Sequence, residues 1–402
     1  MSNEVRKWLN KPGNNFCVMP FIHMAIEANG DIRPCCMGDS FDLNITGKTI
    51  QQVYNDPLRL QFVDSFRRNE QHPLCHVCWK DPEVRIKFSS VPMFIETTKQ
   101  AMTGILPEHK LRWLEIKPGN RCNLKCRICG VHNSSSWAKD DAALINPNLP
   151  FKKSDAYKYT QSCDWIDDPT FWNDIHELDE IKLIHFMGGE PYMVPEHFQL
   201  LERLVADPDV DTSKITIRYN TNGTYFPSSE NLSLYNNFYQ IIMGLSIDDI
   251  GERFNYQRKL ADWEEVKSNL IKFKKLNSKS EGDKFPQFYA EIDPTISIFN
   301  IFYLNEITEE FNKLGFYEFT EARHFAIIGI HAIHVLPQYL KDVIIAKYKE
   351  SDNPWVTRAV KYMNSQKSSS KMWKEFKETT SNLDARREEN FQNIFKEFYE
   401  HF

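Results

Sequence analysis

Apolar residues along this chain come in two rhythms. Between Leu111 and Ile330, short and nearly continuous apolar runs alternate with stretches whose apolar positions recur at helical spacing. The runs LRWLEIK, IKLIHFM, KITIRYN, YQIIMGLSID, QFYAEID and HFAIIGI, beginning at Leu111, Ile181, Lys214, Tyr239, Gln287 and His324, predict strands. PEHFQLLERLVA and DWEEVKSNLIKFKKL, lying between them, predict helices. An alternation of this kind repeated six times predicts an α/β fold: a parallel sheet with right-handed crossovers, open or curled into a partial barrel.

Outside that region the rhythm changes twice. In FIHMAIEANGDIRPCC the Asn29-Gly30 pair separates two largely alternating stretches, which predicts a hairpin with a tight two-residue turn. A helical stretch follows from Thr49 to Arg68, with Val53, Leu60 and Val63 on its apolar side, and delivers the chain to LCHVCW. From Pro337 to Phe402 the chain reads as charged amphipathic helices packed outside the core, with a Ser-rich break at KSSSK. The predicted organisation is a small unit over 1–95, the strand–helix region over 105–335 and a helical extension over 336–402. No internal repeat is present.

Composition narrows the class. In 402 residues, 41% hydrophobic and 26% charged, no run approaches the roughly 18 apolar residues of a membrane span. The amino terminus, MSNEVRKWLN, lacks the apolar core of a signal peptide, so a cytoplasmic location is expected. A net charge of −6 argues against nucleic acid as a partner. Nine cysteines in a reducing compartment point to metal or redox chemistry rather than a disulfide framework. They fall into two groups, one before residue 79 and one in a single loop, with Cys163 alone, and two groups imply two sites.

The loop, PGNRCNLKCRICG, directly follows the first predicted barrel strand, where ligands of α/β sheets gather. Its Cys122, Cys126 and Cys129 are separated by three and then two residues. Structural zinc and most iron–sulfur clusters take four protein ligands. Three thiolates leave one metal position open to a reacting molecule, unless a distant residue such as Cys163 completes the set. Later strand ends are polar where a helix-covered strand should be apolar. Alternation places Arg218, Asn220 and Asn222 on one face of the third strand, and Ser246 with Asp248 on one face of the fourth. Glu115 with Lys117, His185, and Glu291 with Asp293 repeat the pattern.

This spacing of cysteines after a first strand resembles the radical S-adenosylmethionine (SAM) enzymes. The resemblance implies a partial (β/α)6 TIM-like barrel and a [4Fe–4S] cluster on Cys122, Cys126 and Cys129. Its fourth iron would be chelated by SAM, whose one-electron cleavage releases a 5′-deoxyadenosyl radical. FMGGEP, YNTNG and LSIDD resemble the strand ends that hold the cofactor in that family. By resemblance Gly188, Gly189 and Glu190 bind its amino group, and Asn222, Ser246 and Arg258 its ribose or carboxylate. Arg258 suits a bidentate carboxylate clamp and is also readable as a helix-surface arginine. Asn300 is a binding residue or an N-cap. The sequence departs from the family in having Ile128, not an aromatic residue, before the third cysteine.

Cys17, Cys35 and the Cys75–Cys78 pair, with Cys36 spare, resemble the ligands of a twitch or SPASM domain, which carries auxiliary [4Fe–4S] clusters. A second cluster is therefore implied, with a structural four-cysteine zinc site as the alternative. The domain precedes the barrel here, whereas it normally follows it. The implied function is hydrogen abstraction from a substrate, expected to be a peptide or protein side chain, with an external low-potential electron donor. A sugar or nucleoside metabolite is the alternative substrate, and a non-catalytic iron–sulfur sensor or scaffold the alternative class. Asp248, Glu291 and Asp293 are the candidate catalytic bases because they should face the lumen. His331 and His334 are candidates for substrate contact or satisfied structural residues.

Overall fold

The computed structural model describes residues 3–80, 82–89, 91–277, 287–317, 324–325 and 329–398. The chain divides into two compact units. One comprises Met1–Asn120, Gln161–Arg218 and Glu230–Tyr239, the other Arg121–Thr160, Tyr219–Ser229 and Gln240–Phe402.

In the first unit His23–Ile26 pairs antiparallel with Ile32–Arg33 as the predicted hairpin. Its connection is one residue longer than expected. Gly30 N donates to Glu27 O and Glu27 N to Asp31 O, both at 2.8 Å, so Ala28, Asn29 and Gly30 form the loop. Gly30 alone takes a positive φ, +84°, whereas a two-residue Asn-Gly turn needs one at the asparagine too. A Cβ on Gly30 would lie 2.9 Å from Asn44 Oδ1, and the Asn44 amide binds Asn29 O and Asp31 Oδ1. The close-packed asparagine and the loop conformation therefore both require glycine.

His23–Ile26 also pairs in parallel with Trp113–Ile116, and that strand in parallel with Leu183–Phe186. The cysteine-rich hairpin thus adds a strand beside the first predicted barrel strand. All three strands are buried along their whole length, which explains why they read as nearly continuous apolar runs.

The helix expected over 49–68 is instead two, Ile50–Tyr54 and Pro57–Arg67. Pro57 has no N–H to continue the first helix, and the chain restarts with Asp56 accepting from Leu58 N at 2.9 Å.

In the second unit Gln240–Leu245 and Phe288–Ile292 pair in parallel, Ile241 opposite Phe288 through Leu245 opposite Ile292. The helix Trp263–Leu276 runs between them in sequence and buries Trp263, Val266, Leu270 and Phe273, an i, i+3, i+7, i+10 stripe. Just beyond it, Asn277 Oδ1 accepts from Ala290 N at 2.8 Å, so a side chain occupies a backbone donor of the strand. Thr295–Ile296 pairs in parallel with His324–Phe325, the start of the predicted strand HFAIIGI, whose residues 326–328 lie outside the described residues.

The carboxyl-terminal region forms the helices Gln338–Lys347, Pro354–Asn364, Ser370–Arg387 and Phe391–Ile394. The KSSSK break is real, and Ser369 caps the third of these by accepting from Met372 N at 3.3 Å. Phe376, Phe391 and Phe395 pack with Phe299. The alternation of parallel strands and helices is the predicted α/β class with a partial-barrel core. Among the described residues no helix is long and apolar enough to cross a membrane.

Candidate functional site

The three-cysteine loop lies in the second unit, where it is held by its backbone. Lys125–Cys126 pairs antiparallel with Arg258–Lys259, and Arg127 N donates to Gln257 O at 2.7 Å. The segment VHNSSSW supplies the remaining fastenings. Ser134 Oγ donates to Leu124 O at 2.6 Å, Ser136 Oγ to Cys122 O at 2.7 Å, and Trp137 Nε1 to Cys126 O at 2.8 Å. These bonds satisfy the carbonyls of Cys122, Leu124 and Cys126 and fix the backbone that carries the thiols. Burial pushes the Cys129 thiol up to about 12, with the neighbouring Cys126 adding to the rise. Burial also raises Cys126, opposed by Arg258. Such thiols become thiolates only beside positive charge, and a metal centre supplies it.

Polar side chains surround the sulfurs. Arg258 is buried, its Nη1 3.8 Å from Cys126 Sγ and its Nη2 2.6 Å from Asp248 Oδ2, while its Nε is buried without a hydrogen-bond partner. Asp248 Oδ1 accepts from Thr295 N at 2.8 Å, so both of its oxygens are engaged. Asn222 Nδ2 stands 4.0 Å from Cys122 Sγ and 2.9 Å from Asn123 Oδ1; Asn123 Nδ2 donates to Thr224 Oγ1, and Thr224 Oγ1 to Asn222 Oδ1. This closed ring fixes the amide orientation of Asn222. Ser246 is half-buried and donates its N–H to Thr221 O, Glu291 is half-buried, and Asp293 is buried. Asn300 is no helix cap: the following helix begins at Leu304 after Tyr303. Its Nδ2 donates to Asp248 O and Thr295 O, at 2.9 and 2.8 Å, and ties the Asp248 strand end to the next segment.

One residue of this site was not foreseen. Arg127, between the second and third cysteines, is turned inward and almost wholly buried. Its Nη2 is paired with Asp384 at 2.5 Å and with Glu389, and its guanidinium lies 4.0 Å from the Tyr256 ring centroid. Arg387 Nη1 reaches Lys125 O at 2.9 Å. The carboxyl-terminal helices therefore buttress the cysteine loop. His331 is near Phe299 and Phe376, their centroids 5.5 and 6.0 Å away, and burial lowers its pKa to about 4, as for a structural histidine.

In the first unit Gly188 and Gly189 take φ of +72° and +50°. A Cβ on Gly188 would fall 2.6 Å from Lys117 Cγ, so this turn also needs glycine for space. Glu190 is fully buried and accepts from Tyr192 N at 3.3 Å. Glu115 lies 3.9 Å from both His23 Nε2 and His185 Nδ1. Burial alone would raise its carboxyl, but His23, His185 and Lys117 together hold it down at about 2. His23 in turn contacts Pro34 O at 2.9 Å through Nδ1, beside Cys35.

The amino-terminal cysteines meet. Cys17, Cys35, Cys75 and Cys78 line one cavity with Phe62, Phe66 and Trp79, and Cys36, which is exposed, does not. Burial pushes Cys35 up to about 12, with Cys17 adding to it, and raises Cys75 with help from Cys17, Cys35 and Cys78. Among the described residues no three His, Cys, Asp or Glu side chains are gathered as ligands of a single ion.

A family model for the Radical SAM superfamily matches residues 116–285, and one for SPASM, an iron-sulfur cluster-binding domain, matches residues 17–79. Residues 116–285 thus form a domain of the radical SAM superfamily. A radical SAM domain has a [4Fe–4S] cluster and SAM as its cofactors, and the SPASM domain is a site for auxiliary clusters. The radical SAM match contains Cys122, Cys126, Cys129, Gly188–Glu190, Asn222, Ser246, Asp248 and Arg258, while Glu291 and Asp293 lie beyond it. Among solved structures, native anSMEcpe with bound AdoMet and Cp18Cys peptide is 21% identical over 53% of this chain and 49% of its own, with a TM-score of 0.35. Native anSMEcpe with bound AdoMet is 20% identical over 53% of this chain and 50% of its own, also at 0.35. The chain thus spans about half the length of the solved structures it matches. No curated protein matches it.

Proposed function

We propose that this chain is a radical SAM enzyme that abstracts hydrogen from a peptide or protein side chain and passes an electron to an auxiliary [4Fe–4S] cluster. The observation that carries the reading is the cysteine loop. Its three thiols stand on a backbone pinned by side-chain bonds to the carbonyls of Cys122, Leu124 and Cys126, next to a buried arginine and an oriented asparagine. When bound, the cluster on Cys122, Cys126 and Cys129 and its SAM supply a 5′-deoxyadenosyl radical on one-electron reduction by an external low-potential donor.

The chain's own residues bind and orient. Asn222, held by Asn123 and Thr224, presents its amide beside Cys122. Arg258 brings a fixed positive charge to Cys126, with Asp248 holding it in place. A SAM carboxylate would meet the free Nε edge of Arg258 or displace Asp248, and either makes a charge-assisted contact. Ser246, Gly188, Gly189 and Glu190 complete the proposed cofactor set. Glu291, Asp293 and Asp248, whose two oxygens accept from Arg258 and Thr295 N, are the proposed acceptors of a substrate proton. Cys17, Cys35, Cys75 and Cys78 are the proposed ligands of the second cluster.

The test is anaerobic. Reconstituted protein reduced with dithionite should convert SAM to 5′-deoxyadenosine; an intact cluster that yields none overturns the enzymatic reading and favours a sensor or scaffold. Deuterium passing into 5′-deoxyadenosine from a perdeuterated peptide mixture supports the peptide substrate. Transfer only from perdeuterated sugars or nucleosides overturns that part alone.

A further inference from the structure

We propose that Arg85 is the counter-cation of the auxiliary cluster and raises its reduction potential. The inference rests on the reading that Cys17, Cys35, Cys75 and Cys78 hold an iron–sulfur cluster. Arg85 lines the same cavity as those four cysteines and is 5% exposed. Its Nη1 donates to Phe16 O at 2.5 Å and its Nη2 to Leu9 O at 2.8 Å, while its Nε is buried with no hydrogen-bond partner. Among the described residues no carboxylate pairs with it. Two carbonyl dipoles hold the guanidinium in position, yet they do not neutralise it.

A buried charge without a counter-charge is among the most destabilising arrangements a fold can contain. The other buried arginine of this unit shows the contrast. Arg59 has the Tyr54 ring 4.6 Å from its guanidinium carbon and donates to Tyr54 O and His23 O. Arg85 has no ring within such reach among the described residues, and the groups that face it are thiols. Cys17 and Cys78 are the charges that favour its protonated form against burial.

Four thiolates around a four-iron core in its oxidised 2+ state give a net charge of −2, and one-electron reduction makes it −3. A fixed cation attracts the reduced state more strongly than the oxidised one, so it shifts the couple toward reduction. The effect is large here because the cavity wall is otherwise apolar or aromatic, with Phe62, Phe66, Phe88 and Trp79. The nearby acids act in the opposite sense: Asp39 disfavours the thiolate of Cys75, and Glu115 that of Cys35. Among the described lining residues Arg85 alone supplies positive charge. An acceptor of the substrate electron needs a potential above that of the donor radical, and Arg85 supplies part of that difference.

The experiment uses the full-length chain, reconstituted anaerobically, with Cys126→Ala present so that the auxiliary cluster is the sole paramagnet on reduction. The midpoint is read by redox titration followed by EPR. Arg85→Gln, which keeps a donor but loses the charge, is expected to lower the reduced-to-oxidised ratio at fixed potential at least about tenfold, a shift of about 59 mV for one electron. Arg85→Lys is expected to stay within about threefold of the unsubstituted chain, because it keeps the charge. An unchanged midpoint in Arg85→Gln overturns the proposal. If Arg85→Gln cannot hold the second cluster, Arg85→Lys decides: a formed cluster of ordinary potential supports the counter-cation, and loss of the cluster in both overturns it in favour of a backbone clamp. Metal analysis of the parent chain separates this from the underlying reading, since zinc in place of the second cluster removes the cluster assignment before Arg85 is tested.

Discussion

The two cysteine groups solve opposite problems. In the loop of the second unit three thiols stand among polar side chains, Arg258, Asp248, Asn222 and Asn123, each fixed by a further hydrogen bond. In the first unit four thiols line a cavity walled by Phe62, Phe66 and Trp79, with one buried arginine. Oriented polar groups beside the sulfurs, with Arg258 Nε lacking a hydrogen-bond partner, suit a centre that must receive a ligand, whereas a full thiol set in apolar walls suits a closed centre. Thiol number and lining polarity thus point the same way, and they do so independently.

The largest expected effects divide the two centres. Cys126→Ala should reduce SAM cleavage to background and lower the iron content from about eight to about four per chain. Cys75→Ala should show the same fall in iron while keeping SAM cleavage, with turnover of substrate lost. If either substitution removed both clusters, the centres would be interdependent and the contrast drawn here would fail.

A second effect tests the buttress behind the open centre. Arg127→Ala leaves the partly buried Asp384 without its cation and Glu389 with Lys259 alone, and breaking a buried pair costs about 3–5 kcal/mol. Chemical denaturation should show that loss, and the auxiliary cluster should still form. A loss below about 1 kcal/mol, the scale of an exposed pair, would make the tail an appendage.

Asp248→Asn should act more gently, as loss of a supporting residue does, raising the KM for SAM roughly tenfold with the cluster intact. An unaltered KM would mean that Arg258 needs no partner.

A last effect concerns the fall of stability in acid and vanishes at neutral pH. Glu115 has its pKa lowered to about 2 in the folded chain, so it contributes stability that is present above its unfolded value near 4.5 and lost as pH falls toward 2. A shift of that size corresponds to about 3 kcal/mol at most. Glu115→Gln should therefore flatten the decline in stability between pH 4.5 and 2 and leave the pH 7 to 8 region parallel to the parent. A decline as steep as the parent's would assign the acid limb to other groups.

Much of this was legible in the chain itself. Strands such as Trp113–Ile116 and Leu183–Phe186 are buried on both faces, and an element buried all round writes a continuous apolar run. The cysteine loop stands out in the sequence because the spacing of its three thiols is local. Local punctuation was misjudged where two signals competed. Helical periodicity over 49–68 hid the break that Pro57 enforces, and Asn29-Gly30 suggested a turn one residue too short. Asn300 looked like a cap because only its neighbours were visible, while its partner Asp248 lies 52 residues away. Arg127 was illegible for the same reason on a larger scale: its carboxylates stand 257 and 262 residues downstream. Arg85, too, is an ordinary helix residue until the fold brings Cys17 and Cys78 around it.

The central claim is that the three-cysteine centre keeps one iron for the cofactor. Reduced protein bearing that cluster should be mixed with SAM labelled with nitrogen-15 at its amino group and examined by electron–nuclear double resonance. The account predicts a hyperfine coupling from the labelled nitrogen and a changed EPR spectrum, both absent without SAM. A fully formed cluster whose spectrum SAM leaves unaltered, with no nitrogen coupling, would contradict it.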